Sequence, residues 1–289
     1  MPELPEVEVV KKSLENEICN FKLQDIEIID GNLRYKVKHK ELSKIIGFKV
    51  ARIERRSKYL IFFFNQNDFI MICHLGMTGK FLIKNNQIKK KTSFYYDLSD
   101  HNKKHDRLIF IFNTRKRLIY NDIRKFGFIK IDLKKNINTN YHLKTLGPEP
   151  LTKFFNLKYF SSYINGRDRS IKNVMMDQSF VSGLGNIYVN EILFLSKVNP
   201  NRKVKSLKKN EIKNLIKNTK RVLKTAINFG GSSIKNFSSS EGRKGTYQQK
   251  FKVYGRLGSQ CSNSDCRGVI KKIEQSNRTS FYCSKCQKY

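Results

Sequence analysis

The residues of this chain best suited to chemistry lie near its two ends. The first stretch is Met1-Pro2-Glu3-Leu4-Pro5-Glu6. If Met1 is removed, Pro2 becomes a secondary amine. An α-amino group has an ordinary pKa of roughly 7.7–8.0, so part of it is neutral and nucleophilic near neutral pH, far more than a lysine at about 10.4. A secondary amine that attacks a sugar's anomeric carbon gives a cationic iminium, an electron sink for later eliminations. Glu3 is one peptide bond away and is placed to give or take the proton. On this stretch alone a plainer account is the better one. Pro2 and Pro5 punctuate the start of a helix, and Glu6 and Glu8 suit its dipole.

The second stretch is Cys261-x4-Cys266-x16-Cys283-x2-Cys286. Four thiols in two close pairs fit a tetrahedral structural zinc site, in a hairpin too small to fold without its metal. With all four ligands protein thiolates, no coordination position is left open for catalysis. A pair of disulfides is the alternative, and a cytosolic setting argues against it. Cys19 and Cys73 stand alone in apolar surroundings and read as reduced core residues.

The elements that must position these ends can be read from patterning. Leu4, Val7, Val10, Leu14 and Ile18 recur at helical spacing after Pro5. Short β-branched and aromatic runs follow at Val50–Ile53, Tyr59–Phe64, Phe69–Cys73, Leu108–Phe112, Leu118–Tyr120 and Phe128–Ile131. They predict an antiparallel sandwich or barrel with the leading helix packed on it. Lys84 to Lys104 is polar and strongly basic and is expected to include a mobile loop. After Gly147-Pro148-Glu149-Pro150 the pattern turns helical, at Phe154–Ile164, Ile171–Met176, Asn186–Leu195 and Leu207–Ile227. Gly183-Leu184-Gly185-Asn186 precedes one of these helices. Glycines there admit an anion to the helix N-terminus, although on local grounds alone a simple cap is the commoner role for Asn186. A Gly/Ser/Lys-rich stretch, Ser238–Thr246, reads as a flexible loop.

The 289 residues are enough for two domains with real cores. Lys+Arg 58 against Asp+Glu 24 leaves +34, with a pI near 10.0. That sign suits a polyanion, whose phosphates lysine and arginine neutralise. The chain is also heavy in Lys, Asn and Ile throughout, so many of its lysines read as ordinary solvated surface. No apolar run is long enough to span a bilayer, and no signal-peptide pattern opens the chain. The expectation is a cytoplasmic, nucleoid-associated monomer with no membrane contact.

Taken in order, eight motifs resemble bacterial formamidopyrimidine-DNA glycosylase. They are Met1-Pro2-Glu3-Leu4-Pro5-Glu6-Val7, Arg56-Ser57-Lys58-Tyr59-Leu60, His74-Leu75-Gly76-Met77-Thr78-Gly79, Asp122-Ile123-Arg124-Lys125-Phe126-Gly127, Leu146-Gly147-Pro148-Glu149-Pro150, Gly183-Leu184-Gly185-Asn186-Ile187-Tyr188, Val253-Tyr254-Gly255-Arg256 and Arg278-Thr279-Ser280-Phe281-Tyr282-Cys283. Each alone is weak, and eight in order are specific. The resemblance implies an α+β multidomain fold. A catalytic β-sandwich with its leading helix would occupy 1–135 and a linker 136–150. A helix-two-turn-helix domain would span 151–237, a flexible loop 238–250 and a zinc finger 251–289, with DNA in the cleft between.

The resemblance also implies excision of oxidised purines followed by β,δ-elimination. By position, Pro2 matches the Schiff-base nucleophile and Glu3 the general acid. Lys58 matches the β-elimination lysine and Arg278 the finger residue for δ-elimination. His74, His105, Arg124, Arg167, Lys172 and Asn186 match DNA-contacting or phosphate-site positions. Met77, Arg124 and Phe126 match the residues that fill the gap left by a flipped nucleotide. Zinc on Cys261, Cys266, Cys283 and Cys286 is the implied cofactor, and lesion-bearing duplex DNA the implied partner.

Each of these positions has a plainer account, namely a solvated lysine at 58, core apolar residues at 77 and 126, surface at 105 and a generic phosphate anchor at 278. Three departures from the family pattern stand out. Ile123 replaces a proline and Lys125 an arginine, which predicts a less rigid loop around Arg124, and the first cysteine pair is two residues wider. Two other functions compete with the glycosylase reading. One is a non-catalytic nucleic-acid-binding protein with a zinc ribbon. The other is an endonuclease VIII-like enzyme for oxidised pyrimidines, which the Leu4 form of the opening disfavours.

Overall fold

A computed structural model describes residues 1–85, 88–91, 101–232 and 246–288. Most of the proposed 238–246 loop lies outside them, as does much of Lys84–Lys104. The chain forms two compact units, 1–144 with 229–246 and 145–228 with 247–289.

The first unit begins with helix α1, Leu4–Ile18. Pro5 sits in its first turn, where a missing N–H costs nothing. Glu3 is the N-cap, and a capping box pairs the Glu3 and Glu6 side chains with each other's backbone N–H. The side chains of Leu4, Val7, Val10, Leu14 and Ile18 are fully buried. Nine strands follow in the described residues, with a short helix α2, His39–Leu42, between the first two: β1 Leu23–Ile28, β2 Val50–Arg56, β3 Tyr59–Phe64, β4 Phe69–His74, β5 Lys80–Asn85, β6 Ile88–Lys91, β7 Asp106–Phe112, β8 Arg117–Asn121 and β9 Phe128–Leu133. They pair antiparallel as two sheets, in the orders β1-β7-β8-β5-β6 and β2-β3-β4-β9. A single core cluster draws Val10 and Leu14 from α1, Phe110 and Phe81 from one sheet, and Phe62 and Met71 from the other. Shared burial of the helix and both sheet faces is what makes this a sandwich.

Three strands escape the sequence pattern. A bulge between Leu23 and Asp25 breaks alternation in β1. β5 and β6 pair at the front of the basic segment, where the patterning predicts no strand. The turn between β2 and β3 is a two-residue loop at Ser57-Lys58, with Ser57 at φ +57. A positive φ at the first loop position matches the twist of a tight hairpin.

The second unit holds α3 Leu157–Ile164, α4 Ile171–Met176, α5 Asn186–Leu195, α6 Lys209–Asn228 and a hairpin of β10 Ile270–Gln275 with β11 Arg278–Cys283. The side chain of Asn156 accepts from the Tyr159 N–H, so α3 starts later than its apolar periodicity suggests. α6 is amphipathic, burying Ile212, Leu215, Val222, Leu223 and Ala226. α5 is buried over nearly its whole surface, including Asn190 and Glu191. Both polar groups are satisfied. Glu191 accepts from the backbone N–H groups of Lys252, Val253 and Tyr254, and Asn190 accepts from that of Phe281. No helix of the described residues is long and apolar enough to cross a membrane.

Leu14 has no exposed surface. Leu14→Ala is expected to lower stability by about 2–5 kcal/mol, read as an earlier urea midpoint for the first unit.

Candidate active site and metal centre

In the first unit the residues singled out above fall into two linked groups. The first surrounds the start of α1. Pro2 and Glu3 are buried there. The Glu6 carboxylate takes the Glu3 N–H at 2.9 Å on one oxygen, and the Ser232 N–H and hydroxyl at 2.8 and 3.0 Å on the other. Lys58, 7 % exposed, stands on the β2–β3 turn. That turn is tied to α1 by Arg55, which donates to Glu8 at 2.6 Å and to the Ser57 carbonyl at 2.9 Å.

His74 joins the two groups. Its Nδ1 accepts from the Gly76 N–H at 3.1 Å, which leaves the ring proton on Nε2. Its ring stacks on Phe128 and meets Tyr59. Burial first, then the positive charge of Lys58, pulls its pKa from 6.5 to about 4.

The second group hangs on Asp122, which is fully buried. Its N–H donates to the His105 carbonyl, and its own carbonyl accepts from Arg107. One carboxylate oxygen takes the Thr78 hydroxyl and the other the Gly127 N–H. The Thr78 oxygen then accepts the Arg124 N–H at 2.9 Å. Gly76, at φ +59, lies so close that a Cβ there would sit 2.5 Å from the backbone of Phe126 and Gly127. These contacts bring the loops of Met77 and of Arg124–Phe126 side by side with their large side chains exposed, Met77 at 38 % and Phe126 at 47 %. The Arg124 guanidinium lies 4.5 Å from the Phe126 ring centre. Where the family proline is missing, this network and a Lys125–Asp30 ion pair of 2.8 Å hold the loop. The Lys125 contact is also the main reason the Asp30 pKa falls to about 2.

The second unit gathers another set. Lys172, 1 % exposed, donates to the Ser280 hydroxyl at 2.6 Å and the Thr279 carbonyl at 3.2 Å. Asn186 donates to the same carbonyl at 2.9 Å. Asn186 is the first residue of α5, with Gly185 as N-cap, so the capping role is not the one its side chain plays. Both residues therefore grip β11 just past Arg278, which is exposed after a two-residue turn, Ser276-Asn277, with both φ positive. Burial first, then Arg278, lowers the Lys172 pKa to about 8. Arg167 stands apart from this set, its guanidinium over the Tyr163 ring and its Nε on the Tyr163 carbonyl.

The four C-terminal cysteines offer sulfurs all within 4.8 Å of one another, positioned to hold a metal ion. The pairs Cys261–Cys286 and Cys266–Cys283 are 3.6 and 3.7 Å apart, far beyond a disulfide bond. A tetrahedral zinc with about 2.3 Å bonds spaces its sulfurs at about 3.8 Å. Donors suited to thiolates surround the cluster, the Asn263 amide on Cys286 and the Gly268 N–H on Cys266. Asn263 comes from the widened first pair, so the extra length folds back onto the metal site. A Cβ at Gly268 would come 2.8 Å from the Cys283 sulfur. Donor set, spacing and cradle all fit the ion.

Family models match most of this architecture. The formamidopyrimidine-DNA glycosylase N-terminal domain matches residues 1–129, and the formamidopyrimidine-DNA glycosylase H2TH domain matches residues 146–238. The chain belongs to the formamidopyrimidine-DNA glycosylase family. It is 37 % identical over 287 residues to the formamidopyrimidine-DNA glycosylase of Rickettsia canadensis, covering 99 % of each chain. It is 38 % identical over 288 residues to that of Rickettsia bellii, covering all of both. Among solved structures it is similar to Lactococcus lactis Fpg in complex with DNA containing an abasic site, at TM-score 0.85 and 34 % identity over 99 % of this chain and all of the other. It is equally similar, at full coverage of both chains, to the wild-type Lactococcus enzyme with DNA containing N7-benzyl-Fapy-dG.

Sequence reasoning gave no role to Asp122, Thr78, Arg55 or Ser232, which hold the named residues in place. Asp122 and Thr78 lay inside quoted motifs, whereas nothing local marked Ser232 or Arg55.

The depressed His74 pKa sets a pH dependence. Between about pH 6.5 and 4 the unfolded chain binds a proton that the folded chain refuses, so stability falls as pH drops through that window. His74→Phe is expected to flatten this loss, seen as a smaller drop in unfolding free energy between about pH 7 and pH 5 than in the parent protein.

Proposed function

We propose that this chain is a base-excision-repair enzyme, a DNA glycosylase with strand-cleaving lyase activity toward oxidised purines such as 8-oxoguanine and formamidopyrimidines. The carrying observation is the buried Pro2-Glu3 pair at the start of α1, in a member of this family that aligns over the whole of a relative. A base stacked in duplex DNA is out of reach, so the damaged nucleotide is extruded at a cost of a few kcal/mol. Met77 and Phe126, exposed on adjoining loops with Arg124 beside Phe126, are suited to refill the stack, and Arg124 to offer donors to the orphaned partner base.

The Pro2 nitrogen, freed by loss of Met1, attacks the anomeric carbon of the extruded nucleotide. The bond to the base breaks and the base leaves with its electron pair, while Glu3 protonates the sugar oxygen as the ring opens to an iminium. The iminium acidifies the adjacent carbon. Removal of that proton, with Lys58 as the base, drives out the 3′ phosphate, and a second elimination drives out the 5′ phosphate. Arg278 stabilises the departing phosphate. His74, with Nε2–H free of the Gly76 bond, and His105, Arg167, Lys172 and Asn186 contact or shape the phosphate sites. Zinc on Cys261, Cys266, Cys283 and Cys286 holds the finger and takes no part in the reaction. The enzyme works as a monomer on nucleoid DNA.

Incubation with duplex carrying 8-oxoguanine opposite cytosine, followed by borohydride, is expected to crosslink protein to DNA, and Pro2→Gly to abolish the crosslink. Absence of adduct from protein whose N-terminus is Pro2 would remove the proposal. Faster excision of thymine glycol than of 8-oxoguanine would move the substrate to oxidised pyrimidines. Elemental analysis is expected to find about one zinc per chain, released as pH falls because the thiolates reprotonate.

A further inference from the structure

Arg55 donates to partners on two different elements. Its Nε donates to Glu8 of α1 at 2.6 Å, and its Nη1 donates to the carbonyl of Ser57 at 2.9 Å. The two side chains of the pair are only 9 % and 17 % exposed. Nearby on the same strand, Arg52 and Glu54 form a pair of similar length with both side chains about half exposed, at 50 % and 49 %. An exposed pair of that kind contributes little. The Arg55 pair is shielded from solvent and from salt, and the planar guanidinium fixes the angle between its two bonds.

The object it holds is the β2–β3 turn. Ser57 sits at φ +57, a strained conformation for a residue with a side chain, and such conformations persist where surrounding contacts over-determine them. Lys58 is the next residue and is nearly buried. Its four-carbon stem is flexible, so the position of its amine depends on where the turn is anchored. Glu8 is on the same helix whose first turn carries Pro2 and Glu3.

We propose that Arg55 is a positioning residue for the elimination chemistry, a strut from Glu8 to the Ser57 carbonyl that sets Lys58 at a fixed reach from Pro2. The proposal rests on the reading of Lys58 given under Proposed function. Arg55 touches no substrate. It acts through the turn, so its loss should slow the step that needs Lys58 and spare the step that needs Pro2 alone.

The test uses the full chain with zinc bound and a duplex bearing a preformed abasic site, under single-turnover conditions. Four proteins are compared, the parent, Arg55→Lys, Lys58→Ala and the double variant. Lysine at 55 keeps the charge opposite Glu8, but its single nitrogen lacks the rigid fork that lets the guanidinium reach Glu8 and the Ser57 carbonyl from two separate nitrogens. Arg55→Lys is expected to keep the rate of borohydride trapping within about twofold, while strand scission slows by about tenfold or more, the scale on which small misplacements act. In the double variant, scission should be no slower than in Lys58→Ala, since the strut has nothing left to position. A merely structural role predicts instead that trapping and scission fall together and that the two losses multiply.

Unchanged scission in Arg55→Lys, or multiplicative loss in the double variant, overturns the strut. If Lys58→Ala itself cleaves at the parent rate, the assignment of Lys58 fails and the strut fails with it. If Lys58→Ala is impaired and Arg55→Lys is not, only the strut is lost. Should Arg55→Lys fold poorly, Glu8→Gln carries the same expectation with a smaller effect, because the carboxamide still accepts one bond.

Discussion

The buried carboxylate of Glu6 is the constraint on which the rest of the first unit depends. A carboxylate only 1 % exposed costs several kcal/mol of lost hydration unless donors replace the water. Glu6 finds them in the Glu3 N–H and in the N–H and hydroxyl of Ser232. One side chain thereby caps the leading helix and locks Pro2 and Glu3 against the sandwich. It also binds Ser232, more than two hundred residues further along the chain. Gly231, at φ +80, makes the approach possible, since a Cβ there would sit 3.0 Å from the Glu6 oxygen. Start and return of the chain are held by the same few atoms.

A second economy of the fold lies in how exposed loop side chains are aimed by buried ones. Met77, Arg124 and Phe126 present themselves to solvent, yet their loops are set by Asp122, which is wholly inside. Lys172 is equally buried and holds β11 just after Arg278. Rigid support beneath an exposed tip suits the wedge role proposed for these side chains, since a loose wedge would lose the energy of insertion to its own disorder.

Much of this was legible from residue types in order. The apolar positions of α1 name its buried face, residue for residue, because a long strongly periodic helix leaves little ambiguity. The strands rich in Phe, Ile and Leu are equally plain. What the sequence hid were elements whose pattern is broken by tertiary pairing. β1 is interrupted by its bulge, and β5 and β6 gain their identity from cross-strand partners rather than from composition. At the candidate site, the motifs named the residues proposed to react but not their supports. Arg55 looks like any arginine of a +34 chain until its partners 47 and 2 residues away are seen. Asn186 illustrates the reverse, since local rules favoured a cap and the side chain reaches β11 instead. The wide cysteine spacing read as a weakness, whereas Asn263 turns that extra length into a donor for a sulfur.

The central claim is that the reactive group is the free secondary amine of Pro2. Intact-mass measurement of catalytically active protein, with sequencing of its first residues, tests this most directly. The account predicts a chain lacking Met1 and unmodified at Pro2. Protein that retains Met1 or carries an N-terminal acetyl group, and still cleaves abasic strands at full rate, would contradict it.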